Sequence, residues 1–272
     1  MKVGIIGYGS MGKMLLRKFY ETGAVQRENL LAANRTPEKL KEADDFSLIC
    51  ENNRELAEQA DIVFLCVWPS DMKDVILEIR DVLKPEALLV SLNGSISFEV
   101  LSKITRQKMA KVIPSVTAEI NRSQTLICFN ESAAEHDKKA LTGFLRNIGN
   151  VIELPENEIG MGSELVSCMP GFIASIFDVI CRSAGNHTAI PEEQVINMVL
   201  DTMSATAELM LRQNMSFSEV AGRVATKGGI TEEGTNVIYR DFPAAADLLF
   251  EKTLDKRKAV SENAKKSFEE NL

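Results

Sequence analysis

The sequence predicts an α/β protein, with a doubly wound, mostly parallel sheet in its N-terminal half and an all-helical C-terminal half. Three observations predict it. An apolar, β-branched run at residues 3–6 feeds directly into Gly7-x-Gly9-x-x-Gly12, and a helical pattern follows at once. Strand-like and helix-like patterns then alternate as far as Leu154. Beyond Pro155 the β-branched strands vanish and helical periods take over.

The strand-like runs lie at residues 3–6, 30–33, 46–49, 62–67, 88–92, 109–113, 125–129 and 151–154. Between the first two, Met11, Met14, Leu15 and Phe19 share a helical face that stops at Gly23, a residue suited to a left-handed helix end. Thr36-Pro37 reads as an N-cap followed by proline at the first helical position. Ser70-Asp71 is placed to cap a helix over residues 72–83, and residues 133–147 read as a helix closed by Gly149. In the second half, residues 158–184 form one long, mostly apolar helical pattern, and Ile190-Pro191-Glu192-Glu193 opens a second that reaches Gln213. Ser216 caps a third helix, Thr231 caps a fourth after the Gly228-Gly229 break, and Pro243 begins a fifth that ends in a Lys- and Glu-rich tail. The boundary is expected at residue 155, with a dinucleotide-binding Rossmann domain over 1–155 and a helical substrate and dimerisation domain over 156–272. Apolar helical faces of this kind need partners, so a homodimer is expected.

Composition narrows the function. The 272 residues are 45% hydrophobic and carry a formal charge of −8, which speaks against a nucleic-acid partner and against anionic membranes. The five cysteines, Cys50, Cys66, Cys128, Cys168 and Cys181, are odd in number and lack CxxC spacing, as expected for reduced thiols in a cytoplasmic protein. The apolar run before Gly7 is too short for a signal peptide, and the stretch 165–181, broken by Pro170 and Asp178, reads as too short to span a bilayer. The two histidines, His136 and His187, sit in polar surroundings, and no metal site is expected.

The glycine loop carries the binding chemistry. Gly7 permits a sharp turn, Gly9 clears the way for a pyrophosphate, and Gly12 lets the helix approach the strand, while Ser10 and Met11 start that helix. Peptide dipoles at the helix start favour the anionic ligand. An acid about 20 residues further on usually holds the ribose hydroxyls of NAD. Here that place reads Asn34-Arg35-Thr36, with no acid and with a guanidinium suited to a 2′-phosphate. The expected cofactor is therefore NADPH, with NADH a possible second. Other loops at strand C-termini should line the same cleft: Val67-Trp68-Pro69, Asn93-Gly94 and the loop holding Ser115.

The reaction is less directly written. Hydroxy-acid dehydrogenases need a Lys or His to move a proton, yet no lysine occurs between Lys139 and Lys227, and His187 reads as a turn residue. Imine reduction fits better, because a protonated imine is already electrophilic. The segment Thr226-Lys227-Gly228-Gly229-Ile230-Thr231 can expose backbone N–H groups to a carboxylate. The plain alternative is that Thr231 caps a helix whose dipole Glu232 and Glu233 complement.

These motifs resemble the pyrroline-5-carboxylate reductase family over nearly the whole chain. The resemblance rests on Gly7-x-Gly9-x-Met11-Gly12, Asn34-Arg35-Thr36, Val67-Trp68-Pro69, Val112-Ile113-Pro114-Ser115, residues 167–172 and Lys227-Gly228-Gly229-Ile230-Thr231. It implies an NADPH-dependent reduction of a cyclic imine carboxylate, most simply 1-pyrroline-5-carboxylate to L-proline. By the same resemblance Thr226, Gly228, Gly229, Ile230 and Thr231 would hold the substrate, with Thr231 bonding the imine nitrogen. The family usually has Lys where Trp68 stands, Asn where Ser115 stands, Gly-Ser-Gly-Pro-Ala-Tyr at 167–172 and Ser-Pro-Gly-Gly-Thr-Thr at 226–231. The replacements look most like the ComER-type, late-competence branch. Two alternatives follow: a non-catalytic, NADPH-binding regulatory paralogue, or a reductase of a different imine.

Overall fold

The computed structural model describes residues 1–269. In chain order the first half runs β1 (Val3–Ile6), α1 (Ser10–Glu21), β2 (Leu30–Ala33), β3 (Leu48–Ile49), α2 (Asn53–Gln59), β4 (Ile62–Leu65), α3 (Met72–Ile79), β5 (Leu88–Ser91), α4 (Phe98–Leu101), β6 (Lys108–Ile113), β7 (Ser123–Phe129), α5 (Glu135–Leu145) and β8 (Gly149–Glu153). The strands make one sheet in the order β3-β2-β1-β4-β5-β6-β7-β8. Every pairing is parallel except β6 with β7. The chain leaves β1 for β2 and β3 on one side and returns to β4 on the other, so the strand order reverses beside β1. That reversal opens a crevice at the carboxyl ends of the strands.

Strands β1, β2, β4 and β5 are buried on both faces, which explains why they read as continuous apolar runs. Side chains alternate in direction along each strand. Val3 and Ile5 join Leu15, Phe19, Phe64 and Phe144 on one side. Ile6 joins Leu56, Val63, Ile76 and Met109 on the other. The Phe19 ring lies 4.2 Å from that of Phe144 and 5.5 Å from that of Phe64, tilted against both. Lys111 on β6 is fully buried, and its ammonium is answered by Glu156 and by the face of Phe98, 4.8 Å away.

Some local expectations change. Pro37 does open a helical segment, but Pro37–Ala43 is a 3₁₀ stretch, and the Thr36 side chain makes no cap hydrogen bond. The helix after Ser70-Asp71 stops at Ile79, short of Leu83. Asp137 accepts the Ala134 N–H at 2.9 Å, supplying the N-terminal cap of α5 that no Ser or Thr provides.

The second half is helical. It comprises α6 (Ile159–Ser163), a π-helical turn at Glu164–Cys168, α7 (Met169–Gly185), α8 (Glu192–Gln213), α9 (Phe217–Val224) and α10 (Ile230–Glu269). Ser216 caps α9 reciprocally: its Oγ accepts the Glu219 N–H, and Glu219 accepts the Ser216 N–H at 2.7 Å. Pro243 does not begin a helix. It lies inside α10, a single helix of 40 residues. An internal proline loses one backbone bond and crowds the preceding turn. Here its residue is exposed, and the run Ala244-Ala245-Ala246 restores strong helix formers directly after it. The Lys- and Glu-rich end is not merely a solvated tail. Ala264 and Phe268 are buried in the cluster with Ile76, and the Lys73 ammonium donates to the carbonyls of Ser267 and Phe268 near the helix end.

The chain forms two compact units: residues 1–170 together with 254–272, and residues 171–253. Within 171–253, Val195 alone is buried. The helical run Glu156–Gly185 is longer than its apolar stretch suggested. By length and composition it could cross a bilayer, and only 6% of its apolar window is buried within the chain.

Candidate functional site

The parallel strands β1, β2, β4 and β5 deliver their carboxyl ends to one edge of the sheet, where the sequence placed the cofactor loops. The glycine loop is built as its spacing implies. Gly7 has φ +100°, and a Cβ there would stand 2.5 Å from the Cys66 carbonyl oxygen, so only glycine fits. A Cβ on Gly12 would stand 2.0 Å from the Gly7 carbonyl oxygen, which is how closely α1 approaches the turn. Gly9 differs. Among the described residues nothing lies within 4 Å of its Cβ position, so this glycine faces open space rather than packing. It also precedes the first residue of α1, where helix N–H groups collect.

Asn34 ties the next loop to this one. Its Oδ1 accepts the Tyr8 N–H at 3.0 Å, and its Nδ2 donates to the Thr36 carbonyl at 2.9 Å. The amide thus fixes the relative position of the glycine turn and the end of β2. Arg35, by contrast, projects outward, with its side chain 88% exposed. A cavity of about 560 Å³ opens here. Of the sequence-predicted residues, Gly7, Gly9, Asn34, Arg35, Thr36, Val67 and Trp68 line it. Trp68 is 77% exposed, so its indole is not consumed by core packing. Cys66 also lines the cavity, and burial pushes its thiol pKa far up, which leaves it a poor nucleophile.

Ser10, Met11, Gly12, Pro69, Asn93, Gly94 and Ser115 do not line this cavity. Ser10 to Gly12 form the first turn of α1 beside it. The Asn93 Oδ1 accepts the N–H groups of Ser95 and Ile96, so it shapes its own turn. Ser115 is buried: its N–H donates to Ser123 Oγ at 3.0 Å, and its own Oγ accepts the Thr117 N–H. That makes its side chain a cap for the turn Val116–Ile120.

Sequence reasoning missed two features. Four acids, Glu51, Asp71, Asp74 and Glu78, also line the cavity. Asp71 Oδ2 stands 3.9 Å from Arg35 Nη1. Near Gly94 lies a second pair, which joins residues 93 apart. Arg257 donates twice to Glu164 Oε1, at 3.0 and 2.6 Å, and once to Ser163 Oγ. Glu164 is buried, and among the described residues its Oε2 has no hydrogen-bond partner. Burial and the adjoining Glu164 carboxylate together push the Cys168 thiol up.

The loop at residues 226–231 belongs to the other compact unit. Gly228 has φ +73°, and a Cβ on Gly229 would stand 2.7 Å from Thr226 Oγ1, so both glycines are required locally. The Gly229 N–H donates to the Thr226 carbonyl at 2.8 Å. Thr231 does not cap α10: the helix starts at Ile230, and among the described residues no hydrogen bond engages the Thr231 hydroxyl. The loop is instead closed by Glu232, whose carboxylate accepts the Gly228 N–H at 2.6 Å. Among the described residues, no three His, Cys, Asp or Glu side chains gather as metal ligands.

Comparison with known proteins covers both regions. Residues 2–94 match the family model "NADP oxidoreductase coenzyme F420-dependent", and residues 156–260 match "Pyrroline-5-carboxylate reductase dimerisation". Pyrroline-5-carboxylate reductase 3 of Bacillus subtilis is 29% identical over 97% of this chain and 98% of its own. ComE operon protein 4 of the same organism is 25% identical over 98% of this chain and 99% of its own. The fold matches the NADP-bound crystal structure of Plasmodium falciparum pyrroline carboxylate reductase, with a TM-score of 0.87 at 21% identity, over 96% of this chain and 98% of that one.

Proposed function

We propose that this chain is a member of the pyrroline-5-carboxylate reductase family, as its dimerisation-domain match and its relatives support, that it reduces a cyclic imine carboxylate with NADPH, and that its substrate is 1-pyrroline-5-carboxylate and its product L-proline. The observation that carries this reading is the pair of glycine-built loops, one at the carboxyl edge of a parallel sheet and one at the start of α10. The functional division we assign is residues 1–155 for the nucleotide and 156–272 for substrate and dimerisation.

NADPH supplies a hydride to the imine carbon. The protein's part is binding and orientation. The open face at Gly9 and the first turn of α1, with Ser10, Met11 and Gly12, receive the pyrophosphate. Arg35, with Thr36, meets the 2′-phosphate, and Asn34 holds the two loops in register. Val67, Trp68 and Pro69 flank the cofactor, and Asn93, Gly94 and Ser115 shape the neighbouring strand ends. In the other loop, Thr226, Gly228, Gly229 and Ile230 are assigned to the substrate carboxylate, which must displace Glu232 to reach the Gly228 N–H, and the unengaged Thr231 hydroxyl meets the imine nitrogen. A protonated imine needs no general acid of its own, so positioning and anchoring of the carboxylate supply most of the rate.

The exposed apolar residues of α7 and α10, among them Val179, Ile180, Ile238 and Phe242, are assigned to a homodimer interface rather than to a bilayer. A cytoplasmic location follows from this reading.

Thr231→Val tests the assignment. With 1-pyrroline-5-carboxylate, kcat is expected to fall about 10- to 100-fold, equivalent to about 1.4–2.7 kcal/mol, with NADPH affinity unchanged. Unaltered kcat removes Thr231 from the mechanism. Tight NADPH binding without turnover of either the five- or the six-membered imine carboxylate would favour the regulatory alternative.

A further inference from the structure

We infer that Asp71 is a nucleotide-selecting residue that works against Arg35, weakening the hold on a 2′-phosphate and supporting a free ribose 2′-hydroxyl. This rests on the dinucleotide reading above and concerns the same cavity. Dinucleotide sites of this fold that accept NAD place an acid at the end of the second strand. Here that position has no acid, only Asn34-Arg35-Thr36. Asp71 arrives from a different element, at the N-cap of α3, and brings its Oδ2 to 3.9 Å from Arg35 Nη1. An acid is thereby restored to the ribose end of the cavity from a different element.

Three details make the carboxylate available. Asp71 makes no side-chain cap hydrogen bond to its own helix. Its remaining contact is with Ser70, whose hydroxyl donates to Oδ1 at 3.3 Å and leaves Oδ2 toward Arg35. Its side chain is 37% exposed, so a ligand can reach it. The surrounding charge points the same way. Arg35 and Lys39 are the cavity's basic residues, against Glu51, Asp71, Asp74 and Glu78. Of these acids, Glu78 is engaged by Asn53, at 2.8 Å.

A 2′-phosphate approaching Arg35 must take the guanidinium from Asp71 and then lie beside that carboxylate. A 2′-hydroxyl instead donates a hydrogen bond to it. An exposed pair at 3.9 Å is weak, so the phosphate still binds, at reduced affinity. The site is thus balanced between NADPH and NADH rather than committed to NADPH.

The test is direct titration of the full chain with 2′,5′-ADP, 5′-AMP, NADPH and NADH, which requires no turnover. Asp71→Asn is expected to bind 2′,5′-ADP and NADPH about 3- to 10-fold more tightly at low salt, with the gain shrinking as salt is raised. The same variant should bind 5′-AMP and NADH no better, and up to several-fold worse. If Asp71→Asn leaves 2′,5′-ADP affinity unchanged or weaker while the wild type binds both dinucleotides, the proposal is overturned and the dinucleotide reading stands. A wild type that binds neither dinucleotide overturns both.

Discussion

The sheet region and the helical region solve the burial of apolar surface differently. Strands β1, β2, β4 and β5 are buried along their whole length, with clusters on both faces of the sheet. In residues 171–253 the apolar residues are as plain in the sequence, yet Val195 alone is buried, and Val179, Leu211, Phe217, Ile230 and Tyr239 are each more than half exposed. The first unit can close its core from one copy of the chain. The second presents helices whose apolar faces remain to be covered, in the stretch that matches a dimerisation domain. The lesson is that a helix reading as apolar on most sides reports a partner as readily as a core.

The largest expected effect comes from the open region. Val179→Glu or Ile238→Glu would place a charge twice at the proposed two-fold interface, removing about 1.5–3 kcal/mol of apolar burial per copy. Sedimentation should then give a monomer that still binds NADPH, while an unchanged dimer would show that these faces are not the interface. Next comes the closed region. Arg257→Ala leaves the buried Glu164 carboxylate unanswered, and the loss of a buried pair's partner costs about 3–5 kcal/mol, readable as a lower denaturant midpoint. A change below about 1 kcal/mol would mean that the Arg257–Glu164 pair contributes little to the fold. The smallest effect concerns the loop before α10. Glu232→Gln removes the internal carboxylate from the Gly228 N–H, so KM for an imine carboxylate should fall about 2- to 5-fold. A higher KM would mean that Glu232 serves to hold the loop in its binding form.

What the sequence reveals follows the same division. The Gly7, Gly9 and Gly12 turn and the start of α1 are local, and the sharp turn at Gly7 and the close approach at Gly12 are visible from spacing alone. The strand positions are legible because parallel strands buried on both faces are continuously apolar. Local rules failed where distant chain segments meet. Asp71 meets Arg35 from a different element, and Arg257 answers Glu164 from 93 residues away, so no spacing pattern announces either. Pro243 misled because a proline normally ends or begins a helix, whereas here strong helix formers carry α10 through it. Thr231 looked like a cap because it follows Gly-Gly, but the helix starts one residue earlier and Glu232 takes the loop N–H. The unclaimed hydroxyl that results is the part of the second loop that matters most to the proposed chemistry.

The most direct test of that chemistry follows the hydride itself. NADPH carrying deuterium at both hydrogen positions of nicotinamide C4 would be incubated with 1-pyrroline-5-carboxylate and the full-length protein, and the product analysed by mass spectrometry. Imine reduction should yield proline one mass unit heavier, labelled at the former imine carbon, with one NADPH consumed per proline formed. Bound NADPH with no labelled proline would contradict the assignment.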